Sequence, residues 1–327
     1  MGRRPKRATP EGVEEIDGYV VIDKPAGITS HDVVARARRA LMTRRIGHAG
    51  TLDPGATGVL VLGVGRATRL LRFVSDLPKT YRGEIVFGTT TSSLDDEGEV
   101  TGQFAMSDLD PERVRETSRQ FVGTTEQIPP MVSAIKVDGR RLYELARQGV
   151  EIERAPRTVT VTRFDLEPSD DPLVFRFVVD CSSGTYVRAL AADLGVALGG
   201  GAHLRGLRRE SIGPFVVEDA VELDALSRAD VGSSLGLVRH LDVVVVTDEL
   251  IEDIAHGKIL ERRVLEVVGE GPWALSSGDA RLLGVYEPWT KERIKPAVVL
   301  IDASDLVQSP QVDTETTVLT KDSPSGR

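Results

Sequence analysis

The stretch GHAGTLDPGATGVLVLG, residues 47–63, places one carboxylate in a loop that leads into an apolar strand. Asp53 is its only acid, and Pro54 follows directly. The glycines around this pair are Gly47, Gly50, Gly55 and Gly58. Glycine lets a ligand approach the backbone closely, and the run TGVLVLGV is typical of a buried strand. Two interpretations of Asp53 stay open: a turn-forming side chain that accepts local amide hydrogens, or a carboxylate held rigidly for chemistry.

The composition is that of a globular protein with room for two domains. The chain has 327 residues, of which 40% are hydrophobic and 28% are charged. Its apolar runs are much shorter than the roughly 18 residues that a membrane helix needs. No apolar segment follows the basic start MGRRPKRATP, so neither a membrane partner nor a secretory signal is predicted. The single cysteine, Cys181, excludes an intrachain disulfide and favours a cytoplasmic location.

Charge is distributed unevenly along the chain, so the net charge of −9 does not exclude a polyanionic partner. Residues 1–82 contain 15 Lys and Arg against 8 Asp and Glu. This basic part includes a cluster of five arginines within ten residues: Arg36, Arg38, Arg39, Arg44 and Arg45. The cluster is either a solvated helix face or a contact for RNA phosphates, and the pattern alone leaves both open.

Strand and helix patterns alternate across residues 16–240, which predicts a mixed α/β (α+β) domain behind a polar tail at 1–15. The segment TSHDVVARARRALM predicts a helix that Thr29 or Ser30 caps. Its apolar face is Val33, Val34, Ala37 and Leu41. The segment SSLDDEGEVTG (92–102) predicts a solvated acidic turn.

Two later regions have patterns of their own. Residues 128–157 contain six Lys and Arg, and they predict a hairpin turn at Asp138-Gly139 and a helix at 142–147. From about residue 245 the short apolar runs RRVLEVV, PWALSS, RLLGVYE and PAVVLI alternate with Gly and Pro turns. That rhythm predicts a small β-barrel at 245–303, and the composition of 304–327 predicts a disordered tail.

Several classes of site are absent from the sequence. The five histidines have no metal-ligand spacing such as HExxH, and Cys181 stands alone. The segment LGVGRATR lacks both the Gly-Lys-Ser/Thr of a P-loop and the third glycine of a dinucleotide fingerprint. There is no GxSxG elbow of a serine hydrolase. No metal or cofactor is therefore predicted, and Asp53 remains as the candidate for chemistry.

A series of motifs resembles, in order and spacing, those of the TruB family of bacterial tRNA pseudouridine-55 synthases. DKPAGITSHDVV (23–34) resembles the family's first motif, and GHAGTLDPGATGVL (47–60) resembles its signature loop. KTYRGEIVFGTTTSSLDDEGEV (79–100) resembles the segment with its essential tyrosine, and residues 128–149 resemble its RNA-gripping thumb. CSSGTYVRALAADLG (181–195) and GAHLRGLRR (201–209) resemble its later motifs. Ala49 and Gly55 depart from the family, which usually has a bulkier residue at the second position.

The resemblance implies a pseudouridine-synthase fold, with a mixed, largely antiparallel sheet in a catalytic domain at 16–240, a thumb at 128–157 and a PUA-like RNA-binding barrel at 245–303. It implies that Asp53 is the nucleophile, that Tyr81 stacks on the target uracil and helps remove its C5 proton, and that Arg188 pairs with Asp53. The implied substrate-binding residues are His48, Tyr186, Leu207, Lys24 and Pro25. The residues expected to grip RNA are Arg36, Arg39, Arg44, Arg45, Lys136, Arg140 and Arg141.

The activity implied by the resemblance is isomerisation of uridine 55 in the T loop of tRNA by a monomer without cofactor or metal. The target base has to be flipped out of its stack to reach Asp53. The alternative hypothesis is a non-catalytic tRNA-binding folding chaperone that keeps the same fold. A third hypothesis, an unrelated α/β hydrolase that uses Asp53, is disfavoured because no second acid or histidine has a matching spacing.

Overall fold

The computed structural model describes residues 14–130 and 154–301, together with the backbone of 136–137 and 140–141. The chain divides into two compact units, Met1–Val243 and Val244–Arg327. No helix in this described part has the length and apolar character needed to cross a membrane. The helix predicted at 142–147, the tail at 304–327 and residues 1–13 of the N-terminal tail lie outside the described residues.

Strands and short helices alternate along the first unit, as the sequence predicts. Its strands are β1 (Gly18–Lys24), β2 (Ile46–Ala49), β3 (Thr57–Val64), β4 (Lys79–Phe87), β5 (Thr89–Thr91), β6 (Val100–Gln103), β7 (Gly123–Gln127), β8 (Lys136–Val137), β9 (Arg140–Arg141), β10 (Arg157–Pro168), β11 (Val174–Cys181), β12 (Ala202–Ile212), β13 (Phe215–Val216) and β14 (Val221–Glu222). Its helices are α1 (Ser30–Ala40), α2 (Leu71–Ser75), α3 (Pro111–Arg119), α4 (Val187–Ala197) and α5 (Ser234–Leu237), with 3-10 turns at Gly65–Leu70, Val217–Asp219, Leu223–Ala225 and Arg228–Asp230.

A 10-stranded mixed sheet organises this unit, in the order β14-β1-β3-β12-β4-β11-β10-β7. β13 pairs with β12, and β2 pairs with β3. The pairs β1·β14 and β3·β12 are parallel, and the other pairs are antiparallel. The predicted mixed, largely antiparallel sheet is confirmed. The short strands β8 and β9 pair antiparallel, and the turn residues between them lie outside the described part.

Helix α1 packs on the β1–β3 side of the sheet. The face predicted to be apolar is buried in a core that includes Ile22, Leu60 and Leu62. The Thr29 side chain accepts a hydrogen bond from the backbone of Asp32, whose carboxylate accepts one from the Thr29 amide. This capping box fixes where the helix begins, next to the Asp53 loop.

Strands β4, β11 and β12 form the other part of the core with helix α4. Leu190 and Leu194 of the helix are buried against the apolar face of these strands. The pairing of β4 with β12 places Tyr81 opposite Arg209, and β12 meets β3 at Arg209 and Gly58. These pairings bring the start of β3 and the first half of β4 together on β12.

The second unit is a five-stranded sheet, consistent with the predicted PUA-like module. Its elements are β15 (Asp242–Val245), helix α6 (Asp248–Ala255), β16 (Leu260–Glu261), a 3-10 turn (Arg262–Val264), β17 (Trp273–Ser276), β18 (Leu282–Pro288) and β19 (Arg293–Val299). The strand order is β15-β17-β18-β19-β16. Trp273 and Tyr286 are fully buried at the centre of its core.

The prediction from the sequence is wrong for one strand of this unit, and it does not include helix α6. The run RRVLEVV is a 3-10 turn followed by irregular chain rather than a strand. Leu265 is buried, whereas Val264 and Val268 are 50% and 82% exposed. Only Leu265 and the half-buried Val267 pack on the core, so the segment lacks the regular alternation of buried and exposed side chains that a strand needs.

Candidate active site

A buried lysine supports the loop that carries Asp53. Lys24 is fully buried at the end of β1. Its Nζ donates to the carbonyl oxygens of Pro25, Pro54 and Ala56 at 2.9, 3.0 and 2.6 Å. Burial lowers the pKa of Lys24 to about 8, and the Asp53 carboxylate opposes that shift. The ammonium group therefore fixes the chain immediately after Asp53.

Two further buried side chains hold the same loop. The Ser30 hydroxyl donates to the Leu52 carbonyl at 3.1 Å and accepts from the Leu52 amide at 2.9 Å. Arg209 donates from Nη2 to Gly50 O at 3.0 Å and from Nε to Val59 O at 2.7 Å. Gly50 has φ +79°, a left-handed conformation that favours glycine. The glycine pattern lets the loop turn tightly while buried side chains bind its carbonyl oxygens.

Asp53 is partnered by Arg188, which comes from a distant part of the sequence. Arg188 Nη2 lies 3.0 Å from Asp53 Oδ2. Its Nη1 donates to the Ser93 carbonyl at 2.8 Å and lies 3.5 Å from Asp95 Oδ2. The guanidinium is buried, whereas the Asp53 side chain is 44% exposed. Arg188 thus orients a carboxylate that remains open to a substrate.

The start of helix α4, where Arg188 lies, is held by Gln127 at the end of β7. Gln127 is buried and makes two hydrogen bonds with the backbone of Tyr186. The Tyr186 amide donates to Gln127 Oε1 at 2.7 Å, and Gln127 Nε2 donates to the Tyr186 carbonyl at 3.0 Å. Tyr186 is the N-cap of α4 and makes no side-chain cap of its own. The glutamine amide therefore fixes the residue from which this helix begins.

Tyr81 lies on β4 with its side chain almost fully buried. Burial raises the pKa of the Tyr81 phenol, and Arg209, which hydrogen-bonds to it, opposes that shift. The phenol is therefore protonated near neutral pH, and its ring is available as an apolar surface.

These side chains meet around a cavity of about 510 Å³, which is within the size range of small-molecule sites. The predicted site residues that line it are Asp53, Tyr81, Tyr186, Arg188 and Leu207. Three further cationic residues line the same cavity: Lys79, Arg157 and Arg209. Burial, followed by the nearby Arg209 charge, lowers the pKa of Lys79 to about 8. Carboxylate, aromatic ring and cations are thus brought together from separate segments of the chain.

A smaller cavity of about 200 Å³ adjoins the same carboxylate and has an acidic wall. It shares Asp53, Arg188 and Leu207 with the larger cavity and adds Asp95, Asp96 and Glu97. Desolvation, followed by the neighbouring carboxylates, raises the pKa of Glu97. The prediction of a solvated acidic turn is correct for Asp96 and Glu97, which are exposed, but wrong for Asp95. The Asp95 side chain is 14% exposed because it turns inward to Arg188.

Three predicted substrate-binding residues do not line either cavity. Lys24 lies beneath the loop, and Pro25 is exposed beside it. His48 is half-buried on β2, with its ring edge-on to that of His31 at a centroid distance of 5.6 Å. Burial, and then the His31 charge, lowers the pKa of His48.

The predicted RNA-gripping arginines lie on α1 and in the turn that follows it. Arg39, Arg44 and Arg45 are exposed, whereas Arg36 is half-buried and lies 3.5 Å from Asp224. The side chains of Lys136, Arg140 and Arg141 lie outside the described part of the structure.

The sequence interpretation missed functional candidates that act through these contacts. Sequence patterns do not mark Asp95 or Gln127 as site residues, and Arg157 and Arg209 stand only within longer motifs. Among residues 14–130 and 154–301, no three His, Cys, Asp or Glu side chains converge to hold a metal ion. An oriented, exposed carboxylate next to an aromatic ring suits covalent attack on a glycoside or on an electron-poor ring.

Comparison with known proteins finds matches along most of the first unit. The family model "TruB family pseudouridylate synthase (N terminal domain)" matches residues 38–187, and "tRNA pseudouridylate synthase B C-terminal domain" matches residues 188–243. The tRNA pseudouridine synthase B of Symbiobacterium thermophilum is 50% identical over 68% of this chain and 75% of its own. The proteins of the same name from Rhodococcus jostii and Corynebacterium aurimucosum are 52% and 48% identical, over 64% and 77% of this chain and 70% and 87% of theirs.

A solved structure shares the fold at lower identity. The structure of a Cbf5-Nop10-Gar1 complex contains a chain that matches with a TM-score of 0.69 and 24% identity. The match covers 88% of this chain and 86% of that one.

Proposed function

We propose that this chain, which belongs to the TruB family and is a tRNA pseudouridine synthase, acts on uridine 55 in the T loop of tRNA. An enzyme of this kind is an isomerase, and we propose that Asp53 is its nucleophile. The observation that carries the assignment of Asp53 is its geometry. Its carboxylate opens into the cavity while the buried Arg188 holds it at 3.0 Å. A loop fixed by Lys24, Ser30 and Arg209 supports that carboxylate, so its position is set before a substrate arrives.

The reaction is an internal exchange of one glycosidic bond. The bond from N1 to ribose C1′ breaks and a bond from C5 to C1′ forms. The C5 hydrogen leaves as a proton and N1 ends protonated, so the product is an isomer and no oxidant or reductant takes part. The Asp53 carboxylate can serve this exchange by attack on the ribose or on the uracil ring, and both covalent routes fit its exposed position.

The uracil has to leave its stack in the RNA to reach the cavity, at a cost of a few kcal/mol. We assign to Tyr81 the surface on which the flipped uracil packs, because the ring lines the cavity and its phenol stays protonated. Tyr186 and Leu207 complete the lining around the base. The exposed arginines Arg39, Arg44 and Arg45 supply positive charge that binds the T arm of the tRNA. One copy of the chain is enough to bind the T arm in this way.

Tritium release from tRNA labelled at C5 of uridine tests this function, with wild type and Asp53→Asn assayed side by side. We expect release from the T loop by wild type, and at least about a thousandfold slower release by Asp53→Asn with tRNA binding retained. Equal release by both proteins would remove Asp53 from its role. Tight tRNA binding with no release by either would indicate the folding-chaperone hypothesis instead.

A further inference from the structure

Four cationic residues line the larger cavity, and three of them are engaged inside the protein. Lys79 donates to the carbonyl oxygens of Ser75 and Leu77 at 2.8 and 2.7 Å. Arg209 binds two backbone carbonyls of the Asp53 loop and strand β3, and Arg188 binds Asp53 and the Asp95 loop. These three cations position the protein's own groups, and each is buried.

Arg157 is the fourth cation, and it differs from the other three. It is exposed, and within residues 14–130 and 154–301 no hydrogen bond or ion pair joins its side chain to another residue. The cavity that contains the Asp53 carboxylate is therefore also lined by a guanidinium whose five N–H donors have no acceptor among the described residues.

The backbone that carries Arg157 is firmly placed. Arg157 begins β10 and is the pairing partner of Gln127 on β7. The Gln127 side chain in turn holds the Tyr186 backbone with two hydrogen bonds. The strand that carries Arg157 and the helix start that carries Arg188 are thereby joined into one wall of the cavity.

A flipped nucleotide brings a phosphodiester with its base, and among the four cations Arg157 is the exposed one whose side chain has no partner in the described part of the structure. From these contacts we propose that Arg157 binds a phosphate that flanks the flipped uridine. The inference rests on the proposed function and adds an anchor for the RNA backbone at the reacting nucleotide. A guanidinium matches phosphate geometry with two parallel hydrogen bonds. A contact made only in the flipped state also offsets part of the cost of unstacking the base.

The test couples a variant of Arg157 to loss of one phosphate charge. Synthetic T-arm stem–loops carry a neutral methylphosphonate either 5′ or 3′ of the target uridine, and a third RNA is unmodified. Binding is measured for wild type, Arg157→Gln and Arg157→Lys. Arg176→Gln is the matched control, because Arg176 is exposed on β11 and lies outside both cavity linings.

We expect Arg157→Gln to weaken binding of unmodified RNA roughly tenfold, the size of one charge-assisted hydrogen bond. Wild type should bind one of the two methylphosphonate RNAs roughly tenfold more weakly than the unmodified RNA. Arg157→Gln should bind that RNA and the unmodified RNA with the same affinity. Arg157→Lys should keep part of the affinity, and Arg176→Gln should behave as wild type. The inference would be overturned if, for both methylphosphonate RNAs, the loss of affinity from Arg157→Gln multiplied the loss from the neutral phosphate. Wild-type affinity of Arg157→Gln for unmodified RNA would also overturn it.

Tritium release by Asp53→Asn from the unmodified stem–loop, measured alongside the binding cycle, separates this inference from the proposed function. Normal turnover by Asp53→Asn would reject the proposed nucleophile and leave the binding cycle interpretable. If Asp53→Asn is inactive and the losses of affinity from Arg157→Gln and from the neutral phosphate multiply, the Arg157 contact is rejected and the proposed function stands.

Discussion

Arg188 holds Asp53 from the protein interior: their side chains are 5% and 44% exposed, and Nη2 lies 3.0 Å from Oδ2. The guanidinium is itself fixed by the Ser93 carbonyl and the Asp95 carboxylate. The carboxylate therefore faces the cavity in an orientation that buried contacts have already set. Its position depends on a guanidinium that is almost fully buried.

Arg188→Lys should lower the single-turnover rate by about 100-fold or more, because an ammonium cannot bind Asp53 and Ser93 at two separate nitrogens. Asp95→Asn should lower the rate less, since it weakens one contact of the guanidinium. Rapid-quench tritium release and filter binding of tRNA measure the two effects. A loss of tRNA affinity as large as the loss of rate would contradict an orienting role.

Gln127→Glu should slow turnover by about tenfold while tRNA affinity changes less than about twofold. The substitution keeps the acceptor for the Tyr186 amide but places a carboxylate oxygen against the Tyr186 carbonyl. The start of α4 shifts as a result, and Arg188 shifts with it. Glu126→Gln on the exposed neighbouring position is the control. A Gln127→Glu variant with the wild-type rate would show that this pair does not position the site.

Turnover should fall as the pH rises through about 8, because Lys24 then loses its charge. The ammonium supplies a hydrogen for each of three carbonyl oxygens around the Asp53 loop, and a neutral amine has one donor fewer. The single-turnover rate is measured from pH 6.5 to 9.5. Lys24→Met should be slower throughout and lack this decline.

Deprotonation of Lys24 should lower turnover, but it has the opposite effect on the free energy of unfolding. The lysine gives up its proton at about pH 8 in the folded protein but near 10.4 when unfolded, so the unfolded state binds more protons between these values. The contribution of Lys24 to the free energy of unfolding therefore rises over that window, so deprotonation of Lys24 does not itself destabilise the fold. Lys79, whose pKa is also about 8, needs its own Lys79→Met control. A decline that Lys24→Met retains and Lys79→Met removes would assign it to Lys79.

Periodicity in the sequence predicts the parts of the fold that depend on local pattern. The capped helix α1 and the buried strand β3 follow from apolar spacing and cap residues, whereas the mixed sheet is what the family resemblance implies. The strand predicted for RRVLEVV is wrong because only Leu265 and Val267 of its apolar residues pack on the core, which composition does not reveal.

Contacts between distant segments are the part of the site that the residues alone do not predict. Asp95 lies in a segment whose acids predict a solvated turn, and its partner Arg188 is 93 positions away. Gln127 gives no local signal, because its role arises from two backbone groups on another element. Family resemblance names Asp53, Tyr81, Arg188 and the supporting Lys24, whereas the contacts of Asp95 and Gln127 emerge only from the fold.

Removal of the exposed arginine charges should weaken tRNA binding and reduce its dependence on salt. Each of Arg44→Gln and Arg45→Gln should lower the slope of log K against log salt by about 1 if the residue contacts a phosphate. Arg36→Gln should have a smaller effect, because Arg36 already lies 3.5 Å from Asp224. Filter binding at several salt concentrations measures these slopes. Unchanged slopes for Arg44→Gln and Arg45→Gln would show that this face is solvated and does not grip RNA.

Two glycines of the Asp53 loop should respond very differently to alanine. Gly58 has φ +98°, and a Cβ there would lie 2.2 Å from the backbone oxygen of Arg209. The backbone of two paired strands has to move, so Gly58→Ala should lower the free energy of unfolding by at least about 3 kcal/mol. A Cβ on Gly55 would instead meet the end of the Glu97 side chain at 2.9 Å, which can rotate away.

Gly55→Ala should therefore change stability by less than about 1 kcal/mol. Urea unfolding compares both variants with wild type, and tritium release shows whether the Asp53 loop keeps its geometry. Retained turnover in Gly55→Ala fits a family that usually has a bulkier residue at this position. Equal stability of Gly58→Ala and wild type would mean that β3 and β12 do not approach as closely as their pairing at Gly58 and Arg209 requires.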